Sequence, residues 1–71
     1  MTKFNFTKDE VEYFIDKCML NDELSKILIL LNMGYSRIQV LMKLQEYNYF
    51  MSERTLDRKI KTIKNKIIRV I

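Results

Sequence analysis

The feature that most constrains this chain of 71 residues is a signal for the start of a helix, which recurs four times. Two of the signals are capping boxes, in which the first and fourth side chains each bond the other residue's backbone N–H. The other two are single residues of the types that accept from the free N–H groups of a first helical turn. The boxes are Thr7 with Glu10 and Ser36 with Gln39, and the single caps are Ser52 and either Asn21 or Asp22. These signals predict four helices.

Residues that interrupt helices are almost absent. The chain has no proline and one glycine, Gly34, a residue that tolerates the left-handed backbone often found just past a helix. Strands need frequent turn residues, and the stretch "QEYNYFM" alternates only weakly, with Asn48 typical of a turn. We expect its aromatic rings to cover the core, although they could instead stack on single-stranded bases. The sequence predicts an all-α, four-helix fold, a single domain over residues 1–71.

Apolar residues follow each start signal at helical spacing. They are Val11, Phe14, Ile15 and Cys18 in the first helix, Leu24, Ile27, Leu28 and Leu31 in the second, Ile38, Leu41 and Met42 in the third, and Leu56, Ile60, Ile63, Ile67, Val70 and Ile71 in the fourth. The single cysteine cannot form an internal disulfide, so we interpret it as a small buried hydrophobe and expect a reducing, cytoplasmic location.

Patterns needed for catalysis or cofactor binding are missing. The chain has no histidine, no nucleophile–base pair, no glycine-rich phosphate loop and no zinc pattern. The acids of the first helix, Asp9, Glu10, Glu12 and Asp16, are typical of a solvated face rather than a metal site. The longest apolar run, Ile27–Leu31, is far shorter than the roughly 20 residues of a membrane span, and "MTKFNFTKDE" lacks a signal peptide's apolar stretch. We expect a binding protein without catalytic residues, metal, cofactor or membrane.

Positive charge is concentrated near the end of the chain. Residues 1–52 carry six basic and seven acidic groups, whereas residues 53–71 carry seven basic and two acidic groups. On a wheel of about 100° per residue, the side opposite Leu56 is basic. That side carries Arg54, Arg58, Lys61, Asn65 and Arg69, with Lys59 and Lys66 on one flank and Lys64 on the other. Like charges along one helix repel one another, so this helix predicts a polyanionic partner.

Two segments carry a family resemblance. "MGYSRIQVLMKL" followed by "SERTLDRKIKTIKNKI" resembles the helix-turn-helix of LuxR-type (GerE) response regulators, and is similar to the fourth region of sigma factors and to small phage or mobile-element regulators. The matching residues are Gly34, Ser36, Val40, Leu41 and Leu44, then Ser52, Thr55, Leu56, Ile63, Lys66 and Ile67. The likeness covers about residues 24–67. The chain departs from the family in a turn about five residues longer, within Gln45–Met51, in an additional first helix, and in the expected lack of a dimerising helix after Ile71.

The resemblance implies sequence-specific binding of double-stranded DNA by a small regulator of transcription, through a motif at about residues 36–67. In such motifs the second helix enters the major groove. Arg54, Arg58 and Lys61 would face base edges, while Lys59, Lys64, Lys66 and Arg69 would hold phosphates. Thr55 and Asn65 complete the predicted contact set. Glu53 and Asp57 would complement the helix dipole or accept from a cytosine amine.

The apolar end of the chain supports two further hypotheses. Ile68 lies about 120° from Leu56, outside the inward stripe, and with Ile71 it predicts a homodimer that would bind two half-sites. The alternative to DNA binding is a small helical adaptor for a protein partner, such as the transcription machinery. The dependence of binding affinity on salt concentration distinguishes the two functions, because phosphate contacts make the affinity for DNA fall steeply as the salt concentration rises.

Overall fold

The structure, a computed structural model, describes residues 4–71, so the first three residues of the predicted domain lie outside it. Four helices follow one another: α1 Lys8–Lys17, α2 Asp22–Asn32, α3 Arg37–Gln45 and α4 Glu53–Val70. No strand occurs within residues 4–71. The predicted all-α, four-helix fold is confirmed.

Both predicted capping boxes are present. The N–H of Glu10 donates to the Thr7 hydroxyl at 3.2 Å, and the N–H of Thr7 donates to the Glu10 carboxylate at 2.8 Å. Ser36 and Gln39 make the same reciprocal pair, at 3.3 and 2.9 Å. Each box satisfies two N–H groups, one from the first helical turn and one from the cap residue, and thereby sets where α1 and α3 begin.

The other two helices also begin at predicted caps. Of the two candidates before α2, Asn21 is the cap, and its side chain accepts from the N–H of Leu24 at 2.8 Å. Ser52 accepts from the N–H of Thr55 at 3.2 Å, which sets the start of α4. These contacts span three residues, so they depend on local sequence alone.

A residue with a left-handed backbone conformation follows each of the first three helices. Gly34 has φ of 97° just past α2, a left-handed backbone conformation that glycine adopts without strain. Asn48 has φ of 66° in the connection after α3, as expected of a turn residue. Met19 has φ of 52° after α1 and is a non-glycine residue that nothing in its sequence pattern predicted.

The core lies between all four helices. α2 and α4 each pack against the other three helices, and α1 rests on these two. The fully buried side chains are Ile27, Leu28, Val40, Leu44, Leu56 and Ile63. Cys18 is buried and carries a free thiol, in agreement with its interpretation as a small hydrophobe. The N-terminal segment is attached by Asn32, whose amide accepts from the N–H of Phe6 at 2.7 Å and donates to its carbonyl at 2.9 Å.

The buried face of α3 differs from the prediction. Ile38 and Met42 were expected to face inward with Leu41, but each is 61% exposed. Val40 and Leu44 are buried instead. This helix has nine residues and two apolar pairs with i,i+4 spacing, so periodicity cannot choose between the pairs. The packing of α3 against both α2 and α4 determines that Val40 and Leu44 are the buried pair.

Candidate nucleic-acid interface

Helix α4 separates its apolar and basic residues as the wheel predicted. Leu56, Ile60, Ile63 and Ile67 are buried. The residues on the opposite side, which we call the basic face, are all exposed; they are Arg54, Arg58, Lys61, Asn65 and Arg69. At about 1.5 Å per residue this face extends for about 22 Å along α4. Four cations and an amide therefore face solvent along one continuous helix.

Lys59, predicted to hold a phosphate, has an acidic partner within the chain. Its ammonium donates to a carboxylate oxygen of Glu23, in the first turn of α2, at 2.5 Å. Both side chains are partly buried. The structure thus assigns Lys59 to a link between α4 and α2, which sets it apart from the cations of the basic face.

Asp57 lies on the opposite flank of α4 and also has a partner. Its carboxylate accepts from the Arg37 guanidinium at 2.6 Å, and this bond raises the pKa of Arg37 above its usual value. Arg37 is the first residue of α3. This cross-helix pair was not foreseen for Asp57, and it connects the start of α3 to the second turn of α4.

The remaining predicted residues lie beside the basic face. Lys64 and Lys66 are half-exposed on opposite flanks, and Lys64 lines a groove between α3 and α4 together with Ile38. Thr55 is half-exposed, and its hydroxyl accepts from that of Ser52 at 3.1 Å. Thr55 therefore takes part in the cap of α4.

The connection between α3 and α4, residues 46–52, is attached to α2 at two points. The hydroxyl of Tyr49 donates to a carboxylate oxygen of Asp22 at 2.5 Å, and its ring packs against the core. The ammonium of Lys26 lies 4.7 Å from the centre of the Tyr47 ring, a cation–π contact. Phe50, by contrast, is 71% exposed. The expectation that the rings of this stretch cover the core holds for Tyr49 and is wrong for Phe50 and for Tyr47, which is 54% exposed.

The contact with Tyr49 changes two acid–base equilibria. Its hydroxyl, followed by Lys26, lowers the pKa of Asp22 below the ordinary 3.8 by stabilising the carboxylate. The same bond raises the pKa of Tyr49 above 10.0, because an ionised phenol could not donate to the carboxylate.

The chain ends in exposed apolar groups. Ile68 is 68% exposed, in agreement with its place outside the inward stripe. Ile71 is 84% exposed, although its angle on the wheel placed it inside that stripe. It follows the last residue of α4 as its C-cap, so helical geometry does not hold its side chain inward.

The part of the chain that the structure describes contains no cluster of three or more potential metal ligands. The acids of α1 are exposed. No helix within residues 4–71 has the length and apolar character that spanning a bilayer demands.

Comparison of this chain with protein-family models, curated proteins and solved structures finds no match. The function must therefore be inferred from the residues themselves.

Proposed function

We propose that this chain is a sequence-specific double-stranded DNA-binding protein, a small transcriptional regulator of the phage or mobile-element type, with α3 and α4 as its helix-turn-helix. The observation that carries the proposal is the basic face of α4, exposed over about 22 Å and without an Asp or Glu on that face of the described helix. A surface that only needed solubility would mix both signs of charge along the helix. A row of one sign is the electrostatic footprint of a polyanion.

Within this proposal the residues of the basic face divide by position along α4. Arg54, Arg58 and Lys61 occupy its first half, the part of a recognition helix that approaches base edges. Arginine can bond guanine O6 and N7 at once, which distinguishes base pairs. Arg69 lies farther along, and with the flanking Lys64 and Lys66 it would contact phosphates, which position the helix without specifying a sequence.

The contacts around α4 support the proposal because they hold the helix before any ligand arrives. Glu23 links it to α2, Arg37 links it to α3, and Tyr49 fastens the preceding connection. A surface ordered in advance loses less conformational entropy on binding. These links also give the lengthened turn a definite path.

We infer further that the protein acts as a cytoplasmic homodimer, in a host cell if it is viral. A single motif of this size has few base contacts, and two-fold symmetric regulators gain affinity from two half-sites. The exposed Ile68 and Ile71 supply an apolar surface for this contact. The same two residues favour the second candidate function, an adaptor that binds a protein of the transcription machinery.

Selection from a randomised duplex library, followed by gel shifts with competitor DNA, tests the proposal. Arg58→Ala should cost about 1–3 kcal/mol in binding and relax preference at one base position. Lys66→Ala should weaken all sequences alike. Failure to enrich any sequence, or equal sequence-independent losses in both variants, would contradict this placement of α4.

A further inference from the structure

Helix α2 has more apolar surface than the core uses. One side, with Ile27, Leu28 and Leu31, is buried. The other side carries Ile29, Leu30 and Met33 at helical spacing, with Ile29 and Met33 exposed. The run Ile27–Leu31 is apolar around the whole circumference of α2, and a helical segment of this kind is usually buried on all sides. This second side of α2 is therefore a surface that lacks a covering element within the described residues.

The exposed side of α2 forms the floor of a groove against α3, which we call the α2–α3 groove. Its walls are two lysine–tyrosine pairs. The Lys26 ammonium lies 4.7 Å from the Tyr47 ring centre, and the Lys43 ammonium lies 5.6 Å from that of Tyr35. No Asp or Glu lines the groove in the described part of the chain. An apolar floor with cationic walls is complementary to a ligand that is both apolar and acidic.

We propose that the α2–α3 groove binds an amphipathic helical segment of another protein, with apolar side chains on its inner face and carboxylates along both flanks. Helices commonly bind such grooves through apolar anchors at i, i+3, i+4 and i+7 spacing. The apolar anchors cover Ile29 and Met33, and the carboxylates accept from Lys26 and Lys43. Lys26 also donates to Asp22 at 3.0 Å, which leaves other N–H donors of its ammonium for the ligand.

Two other occupants fit less well. A second copy of this chain has an acidic helix, α1, but its apolar residues Val11 and Phe14 are already buried in its own core. The apolar end at Ile68 and Ile71 belongs to the basic helix, which both lysines would repel. DNA phosphates would pair with the lysines and leave the apolar floor uncovered.

The test uses fluorescence anisotropy with the full chain and a synthetic helical peptide. The peptide carries leucines at i, i+3, i+4 and i+7 and glutamates on both flanks, and its control twin has lysine in place of each glutamate. The chain offers a matched pair of substitutions, Met33→Glu in the groove and Met42→Glu on the outward face of α3, at 66% and 61% exposure. Neither substitution disturbs the core.

We expect the acidic peptide to bind and its lysine twin not to bind. Met33→Glu should weaken binding by about tenfold or more, because it removes apolar contact and adds repulsion. Met42→Glu should leave the affinity within about twofold. Equal binding of the two peptides, equal losses in the two variants, or no binding up to about 1 mM would overturn the proposal. It would also be overturned if sedimentation showed a wild-type dimer that Met33→Glu converts to monomer, since a second copy would then occupy the groove.

Discussion

The ion pair between Glu23 and Lys59 allows one substitution to add a contact to the proposed DNA complex instead of removing one. Glu23→Gln keeps the size of the side chain but removes the charge that holds the Lys59 ammonium. A partly exposed ion pair contributes at most about 1 kcal/mol to stability, so the variant should remain folded. In the proposed complex the released Lys59 can reach a phosphate from the flank of α4.

The size of the expected change in salt dependence follows from the number of cations on α4. The helix has seven, and about three remain for phosphates once Lys59 and the residues assigned to base edges, Arg54, Arg58 and Lys61, are set aside. The slope of log K against log salt should then be about −2.7, which weakens wild-type binding by about 40-fold between 50 and 200 mM salt. One more phosphate contact makes the slope about −3.6 and the loss about 150-fold.

Anisotropy titrations of a labelled duplex at several salt concentrations measure both slopes. Glu12→Gln is the matched control, because it makes the same change in net charge at an exposed residue of α1. The control should change the affinity slightly and leave the slope at the wild-type value. If Glu23→Gln and Glu12→Gln have the same slope, Lys59 does not reach a phosphate. If the wild type shows no dependence on salt, DNA binding itself is refuted and the adaptor is favoured.

Three further outcomes are expected. Ser52→Ala removes the cap of α4 and should cost about 1 kcal/mol of stability; an unchanged melting temperature would mean that this cap does not set the helix start. Ile68→Lys should leave a folded monomer that loses most specific DNA binding, and sedimentation showing a monomeric wild type at high micromolar concentration would contradict the dimer but not the DNA contact. The pKa of Asp22 is lowered in the folded protein, so its carboxylate stabilises the fold at pH values above its ordinary pKa of 3.8. This stabilisation is lost as the pH falls through the pKa of the folded state. Tyr49→Phe should therefore lower the stability measured by urea unfolding at about pH 7 and lower it much less at about pH 2. An equal loss of stability at the two pH values would refute the bond between Tyr49 and Asp22 as its cause.

The starts of the helices could be predicted because their determinants are local. A capping side chain and the N–H that it accepts from are three residues apart, as in Ser36 and Gln39, so the pattern can be recognised without knowledge of the packing. The direction of the basic face was predictable for the same reason, since one long helix with a single apolar stripe fixes its own outward side.

The contacts between helices could not be predicted in this way. Glu23 and Lys59 are 36 residues apart and Arg37 and Asp57 are 20 apart, and each pair forms only because the helices cross where they do. From the charge pattern alone, Lys59 was predicted to contact phosphate like the neighbouring lysines. In the structure, helix packing places it beside Glu23. The buried face of α3 could not be predicted for a related reason. The helix has two pairs of apolar residues, and its packing against the neighbouring helices determines which pair is buried.

The attachment at Tyr49 divides the long connection into two spans with different tolerance to added length. Residues inserted in the span before it, at Tyr47–Asn48, would disturb the contact of the Tyr47 ring with Lys26 while the anchor at Tyr49 and α4 stay in place. Residues inserted after it, between Tyr49 and Ser52, would lengthen the tether that carries α4 and change the angle at which this helix leaves the anchor. The first span thus tolerates added length better than the second, which is the position at which a designer could change the helix-crossing angle.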